Sequence, residues 1–365
     1  MFETLREILD RHHYRYISMI PADMDVAFSR NEWGLLTLLS SYRQRTTLLF
    51  SYSRLRRLIE YSIKCLKPET YLLYQLFFRG LVVRPDLVEP LLDGVLTELL
   101  DASLLFKVGF DGYRARQCIV PFKNYYLFCD FPISHQDHVY LGATSCFMAQ
   151  YLLSHSWPAH GRGLDIGSGS GILTFMLRRF CREVVGIDIS DEATTTASLN
   201  RTFNNISGVQ FITDDFNQFQ ETGFDFIVGN PPAADLPSSF QGVRNAYGGK
   251  YGIEKTIKVI RYIEKALHEN GQALLLTGAP VVQGENILYS SLRDLVKESG
   301  LSIAVEVQAF WPMARVDWHE PEFSPTHKYL VLLHIRRNAR PEVILRPLPF
   351  YRRLEYIFQG LGGSR

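Results

Sequence analysis

A chain of 365 residues, 46% apolar and 21% charged, is long enough for two folded domains, and its net charge of +1 supplies no overall field that would draw it to nucleic acid or an anionic membrane. The five cysteines (Cys65, Cys118, Cys129, Cys146, Cys181) are scattered without a Cys-x-x-Cys pair, which argues against a zinc or disulfide framework and for a reducing, cytoplasmic compartment. Charges interrupt every apolar run near the N-terminus and none reaches the roughly 18 residues of a membrane span, so neither a signal peptide nor a membrane anchor is expected.

Residues 1–67 read as helices. Leu5, Ile8 and Leu9 fall at helical spacing, and a second pattern runs through Trp33, Leu35, Leu36, Leu38 and Leu39. Arg54, Arg56, Arg57, Lys64 and Lys67 then punctuate Leu55, Leu58, Ile59 and Ile63, giving a basic helix face that suits either solvent or an acidic partner. A helical apolar run covers Tyr71 to Phe78, Gly80-Leu81-Val82-Val83 interrupts it, and Leu87 to Leu100 reads as a further helix. Leu104 to Lys107 and Tyr113 to Arg116 flank a glycine-bearing turn and read as a hairpin, and Val120 and Tyr125 to Phe128 continue as strand. Helices followed by a small hairpin resemble a winged-helix unit, but its recognition helix would lack clustered Arg or Lys, which argues against DNA. Residues 1–130 are therefore expected to form a substrate-recognition domain or a homodimerisation domain, with nucleic acid disfavoured.

Residues 131–160 form a bridge. Asp137 to Ser145 opens a helix from Cys146 to Leu153, for which Thr144 or Ser145 would serve as N-cap. His135 and His138 are the nearest candidates for acid–base work, and without further ligands they make no metal site. From residue 161 to 335 strand and helix alternate, which predicts a mostly parallel sheet with helices on both faces. Helices are expected over Ile253 to Leu267 and Leu288 to Ser299, and strands over Gln272 to Thr277, Ser302 to Val307 and Tyr329 to Ile335. The end of the chain, from 341 to 365, reads as a tail, partly of linker character.

The chemistry is concentrated at four strand ends. Gly163-Leu164-Asp165-Ile166 runs into Gly167-Ser168-Gly169-Ser170-Gly171, a turn in which alternate glycines let the backbone approach a ligand. Ile172 stands where a dinucleotide fingerprint needs its third glycine, so the turn is Rossmann-like but not of the nicotinamide type. Val184 to Asp188 is a second apolar strand ending in an acid, Val209 to Thr213 runs into Asp214-Asp215-Phe216, and Phe224 to Gly229 runs into Asn230-Pro231-Pro232.

In this order and spacing these stretches resemble the class I S-adenosylmethionine-dependent methyltransferases, specifically the Asn-Pro-Pro group that methylates nitrogen. Tyr247-Gly248-Gly249-Lys250-Tyr251-Gly252 further resembles a Gly-Gly-x-x-Gly segment of the glutamine methyltransferases that act on release factors. The resemblance implies a Rossmann-like seven-stranded α/β sheet over residues 131–340, preceded by a mostly helical domain. It implies S-adenosyl-L-methionine as cofactor and S-adenosyl-L-homocysteine as product. Asp165 would take the ammonium group, with Gly167, Ser168, Gly169 and Gly171 against the methionine part. Asp188 would bind the ribose hydroxyls, with Ile189 beside it. Asp214 or Asp215 would accept from the adenine amine, and Phe216 would lie on the ring.

Asn230, Pro231 and Pro232 are the implied catalytic group. An amide-like nitrogen is a poor nucleophile because its lone pair is delocalised. Asn230 Oδ1 and the Pro231 carbonyl can accept its two N–H bonds and point the lone pair at the methyl. The two prolines make that turn stiff. Relatives usually follow the second proline with an aromatic residue that stacks on the acceptor, whereas Ala233 stands here. A nucleobase would lose a stacking contact of about 1–3 kcal/mol. Tyr140, Phe240, Tyr247 and Tyr251 are candidates to line the acceptor site with Ala233. The expected function is methyl transfer to a nitrogen of a small molecule, such as a specialised metabolite, or of a peptide. The alternative is transfer to a protein glutamine or a ribosomal RNA base.

Overall fold

The computed structural model describes residues 1–19, 52–131, 139, 141–158, 160–233, 247–312, 327–337 and 340–346. The pattern through Trp33 to Leu39 and the tail beyond residue 346 lie outside the described residues. The chain divides into two compact units, one of Met1–Tyr151 with Gly169–Ile172 and Thr195–Ser207, the other of Leu152–Ser168, Leu173–Thr194 and Gly208–Arg365.

In the first unit, α1 (Phe2–Arg11) buries Leu5, Ile8 and Leu9, the stripe its spacing requires. After α2 (Tyr52–Leu66), α3 (Pro68–Leu73) begins on a proline, whose missing N–H costs nothing in a first helical turn. It widens into a π turn over Tyr74–Phe78. Where one helix was expected from Leu87 to Leu100 there are two, α4 (Pro85–Val88) and α5 (Leu96–Asp101). Gly94 between them has φ of 80°, a left-handed conformation that a continuous helix does not contain. β1 (Leu105–Val108) and β2 (Gly112–Ala115) form one hairpin, and β3 (Cys118–Phe122) and β4 (Tyr125–Cys129) form a second. The second packs on the end of α8 (Asp191–Phe203), where the Phe203 ring lies 5.5 Å from Phe2, 6.3 Å from Tyr126 and 5.0 Å from Phe128.

The second unit holds the main sheet. Its remaining elements are the end of α6 (Ala143–Ser154), β5 (His160–Ile166), α7 (Ile172–Leu177), β6 (Cys181–Asp188), β7 (Val209–Thr213), β8 (Phe224–Gly229), α9 (Glu254–Ala266) and β9 (Leu267–Val282). They continue with β10 (Glu285–Asn286), α10 (Ile287–Glu298), β11 (Leu301–Pro312), β12 (His327–Arg337) and β13 (Val343–Arg346). The strands lie in the order β13-β11-β12-β9-β8-β5-β6-β7, with β10 on β9. β5 to β9 are parallel where they pair, and β12 is antiparallel between β9 and β11. This is the expected α/β sheet, with β13 added: residues 343–346, read as tail, run parallel to β11 along its free edge. One core lies under α9 and α10, where Val259, Ile260, Ile263, Leu288 and Leu292 meet Leu275, Ile303 and Leu333 of the strands. No helix among the described residues is long and apolar enough to cross a membrane.

Phe203 is 2% exposed and is held by three aromatic rings, so Phe203→Ala leaves a cavity that rigid ring neighbours fill poorly. The substitution should cost about 3–5 kcal/mol in a urea unfolding curve, whereas a loss below about 1 kcal/mol would show that the ring cluster does not hold this unit together.

Candidate functional site: the carboxyl edge of the parallel strands

From β5 the chain steps outward to β6 and β7, then returns across β5 to β8. The loops after β5 and β8 therefore leave in opposite directions, opening the crevice in which ligands of such sheets bind. Asp165, near the end of β5, is fully buried. Thr174 Oγ1 donates to its Oδ2 at 2.6 Å, while Oδ1 has no partner. Ser168 Oγ, 5% exposed, is likewise unpartnered. Burial pushes the Asp165 carboxyl up to about 7, the Thr174 bond opposes that shift, and the Asp188 carboxylate adds to it.

The turn between them is fixed from outside. The N–H groups of Gly167 and Ser168 both donate to the Ile187 carbonyl of β6, at 2.9 and 3.0 Å. Gly167, Gly169 and Gly171 have φ of 74°, 52° and 85°. A Cβ on Gly167 or Gly169 would meet nothing within 4 Å. These two glycines are thus required by the left-handed backbone, and the space beside them stays open to a ligand.

At the end of β6, Asp188 Oδ1 accepts from the Ser190 N–H at 3.0 Å, and Ile189 is 56% exposed. The Asp214 N–H donates to the Asp188 carbonyl at 2.9 Å, which ties the end of β7 to the end of β6. Asp215 uses its carboxylate on its own turn, accepting from Asn217 N and Nδ2 at 2.9 and 2.7 Å. That difference sets the two neighbouring acids apart. The Phe216 ring meets Tyr262 edge-on at 6.3 Å and packs on the core.

Asn230, Pro231 and Pro232 follow β8, with Pro231 buried and the others half-buried. The Gly-Gly segment is brought against them: a Cβ on Gly248 would fall 2.8 Å from the Pro232 carbonyl oxygen and 2.9 Å from Ala233 Cα. Tyr247 thus stands next to the turn, whereas Tyr251, at φ of 57°, packs against the core with Lys250 Nζ over its ring at 5.3 Å. Lys328 of β12 donates from Nζ to the Ala233 carbonyl, its stem lying across Gly278 of β9. Neither Thr174 nor Lys328 stands out in the sequence; the signal for Lys328 is a lysine heading an apolar strand, diagonal to a glycine in its neighbour. Tyr140, Phe240, His135 and His138 lie outside the described residues. Among the described residues no group of His, Cys, Asp or Glu could hold a metal ion.

The donor set fits S-adenosylmethionine. A buried carboxyl oxygen without a partner suits an ammonium group, a second carboxylate stands at the neighbouring strand end, and the glycines leave room for the chain between them. Between about pH 4 and 7 the folded protein keeps a proton on Asp165 that the unfolded chain releases near its ordinary 3.8. Stability without ligand should therefore fall as pH rises through that window. Thermal melts from pH 5 to 8 should show this slope, and Asp165→Asn should flatten it; an equal slope in both proteins would mean that Asp165 titrates normally.

The methyltransferase small domain family matches residues 136–243. Release factor glutamine methyltransferase of Thermodesulfovibrio yellowstonii is 34% identical over 167 residues, 42% of this chain and 57% of that protein. Ribosomal RNA small subunit methyltransferase C of Alcanivorax borkumensis is 30% identical over 99 residues, 27% of this chain and 30% of that protein. Ribosomal protein L11 methyltransferase of Lactobacillus johnsonii is 38% identical over 112 residues, 29% of this chain and 35% of that protein. The chain thus spans little more than half the length of the first of these relatives, and less of the others. The three are named for different acceptors, and what they share with this chain is limited to part of its length. Residues 136–243 thus match a methyltransferase domain, and the strand order and the motifs at the strand ends agree with the class I S-adenosylmethionine-dependent methyltransferases of the Asn-Pro-Pro group that the sequence resembles.

Proposed function

We propose that this protein transfers a methyl group from S-adenosylmethionine to an uncharged nitrogen, of the amide type, in a peptide or small molecule. The observation that carries this reading is the Asn-Pro-Pro turn at the end of β8, with Tyr247-Gly248 packed on it. When bound, the cofactor supplies a methyl group already activated by a sulfonium. The residues of the chain have only to hold, orient and dry the acceptor.

Asp165 would hold the ammonium group of the cofactor, Asp188 its ribose hydroxyls and Asp214 its adenine amine. Asn230 Oδ1 and the Pro231 carbonyl accept the two N–H bonds of the acceptor, which aims the nitrogen lone pair at the methyl and stabilises the charge that grows on it. Two prolines in succession leave this turn with few backbone torsions to lose, so the acceptors stand in place before the substrate arrives. The proton leaves after transfer, and no strong base is needed at the turn. Tyr247, beside Ala233, supplies the aromatic surface that relatives place directly after the second proline.

Residues 1–130 act in this reading as the substrate-recognition part and residues 131–340 as the catalytic part, in a cytoplasmic enzyme. A second reading, methylation of a ribosomal RNA base, is favoured by the Alcanivorax borkumensis relative and slightly by the basic N-terminal helices. Ala233 and the net charge of +1 weigh against it, since phosphate contacts dominate RNA affinity.

Asn230→Ala should bind S-adenosylhomocysteine within about threefold of the parent in calorimetry while transfer falls by about 10² or more, the scale of a lost transition-state hydrogen-bond acceptor. Transfer of labelled methyl to glutamine-bearing peptides and to amine and RNA probes measures the second quantity. Parental turnover in Asn230→Ala would remove the turn from the mechanism.

A further inference from the structure

The edge of β4 is closed by two side chains rather than by a strand. Pro121 stands opposite Tyr126 and Ile119 opposite Phe128. A proline has no N–H to exchange, so these are the pairs of the hairpin that do not bond each other. The N–H and C=O of Tyr126 and Phe128 therefore point away from β3. Asn200 and Asn204 meet them. Asn200 Oδ1 accepts from the Phe128 N–H at 2.6 Å, and its Nδ2 donates to the Phe128 carbonyl at 2.9 Å. Asn204 does the same for Tyr126, at 2.9 and 2.7 Å. The geometry is matched, because four residues along a helix rise about 6 Å and two along a strand about 6.6 Å.

The two asparagines place their second donation differently: Asn204 Nδ2 donates to the Asn200 carbonyl of its own helix, at 2.8 Å. Asn200 Nδ2 also donates to the Ser170 carbonyl, at 2.9 Å, and Asn200 is fully buried. Ser170 lies between Gly169 and Gly171, both left-handed, so the intrinsic backbone preference there is weak and the peptide can turn over at little cost. A trans peptide is planar, so pinning the Ser170 carbonyl on Asn200 aims the Gly171 N–H the opposite way. All of these residues belong to the first compact unit, together with the N-terminal helices.

We propose that Asn200 is a positioning residue for the cofactor, and that it makes cofactor affinity depend on the seating of the β3–β4 hairpin. This rests on the assignment of the glycine turn to S-adenosylmethionine. When the hairpin is seated, Phe128 takes one hydrogen of the Asn200 amide and leaves the other for Ser170, and the turn is held in its binding form. When the hairpin leaves, the amide is free to rotate and the Ser170–Gly171 peptide loses the bond that fixes its direction. The N-terminal part of the chain is thereby coupled to cofactor affinity and does more than recognise the acceptor. Coupling of this kind is reciprocal, so the cofactor must in turn strengthen the hairpin.

The test uses full-length protein and S-adenosylhomocysteine. In calorimetry Asn204→Ala, which leaves the hairpin seated on Asn200 and the Ser170 bond in place, should bind within about threefold of the parent, whereas Asn200→Ala should bind at least about tenfold more weakly. Equal losses in the two variants would overturn the proposal. Asn200→Asp, which keeps the acceptor and removes both donations, should resemble Asn200→Ala. Should both Asn200 variants fail to fold, hydrogen exchange of the parent decides. S-adenosylhomocysteine should slow exchange in residues 118–129 and leave residues 105–115 of the first hairpin unchanged; no selective protection would end the idea. A parent that binds no S-adenosylhomocysteine at all would instead defeat the cofactor assignment, an outcome distinct from a parent that binds while Asn200 proves indifferent.

Discussion

The carboxyl group of Asp165 sets the terms for everything around it. It is fully buried, one oxygen is bonded to Thr174, and the other faces no donor. A carboxylate in that state is costly, and the protein meets the cost in part by holding a proton to about pH 7. Its Oδ2 ties β5 to the first turn of α7 through Thr174, and its Oδ1 has no such structural partner. It makes physical sense as a half-built ion pair whose other member comes with a ligand. Gly167 next to it leaves open space, Ser168 has an unpartnered hydroxyl of its own, and the Asp188 carboxylate acts on Asp165 from the neighbouring strand end.

The acceptor side is built on a different principle. There the backbone is stiff, with Pro231 and Pro232 in succession, and neighbours hold it: the Gly248 backbone against Pro232 and Ala233, and the Lys328 ammonium on the Ala233 carbonyl. Gly278 and Gly248 serve this arrangement by what they lack. A side chain on Gly278 would run into the Lys328 stem, and one on Gly248 into the turn itself. Ala233, which departs from the family pattern, therefore sits in a turn that its surroundings fix, and the proposed acceptor chemistry passes to Asn230 and Tyr247.

Much of this was legible along the chain. The stripe of Leu5, Ile8 and Leu9, the alternation of strand and helix after residue 160, and the acids and glycines at the strand ends are local patterns, each set by the spacing of residues in one segment. The break of the expected helix at Gly94 and the strand at 343–346 were not legible. The first depends on one backbone conformation, and the second on a free edge that β11 offers only after the sheet has formed. Asp214 and Asp215 look alike in sequence, and only the turn at Asn217 tells them apart by occupying one of them.

The sequence by itself determined the sheet, the order of its motif-bearing strand ends and the resemblance to methyltransferases, because those follow from periodicity and from short motifs whose parts are neighbours in the chain. Tertiary structure alone decided which buried oxygen was left unpaired, that Lys328 reaches Ala233, and that Asn200 and Asn204 stand in for a missing strand beside Tyr126 and Phe128. Those contacts join residues some 70 to 95 positions apart. Hydrogen bonds and burial depend on distance in space, and no pattern of residue types along one segment carries that distance.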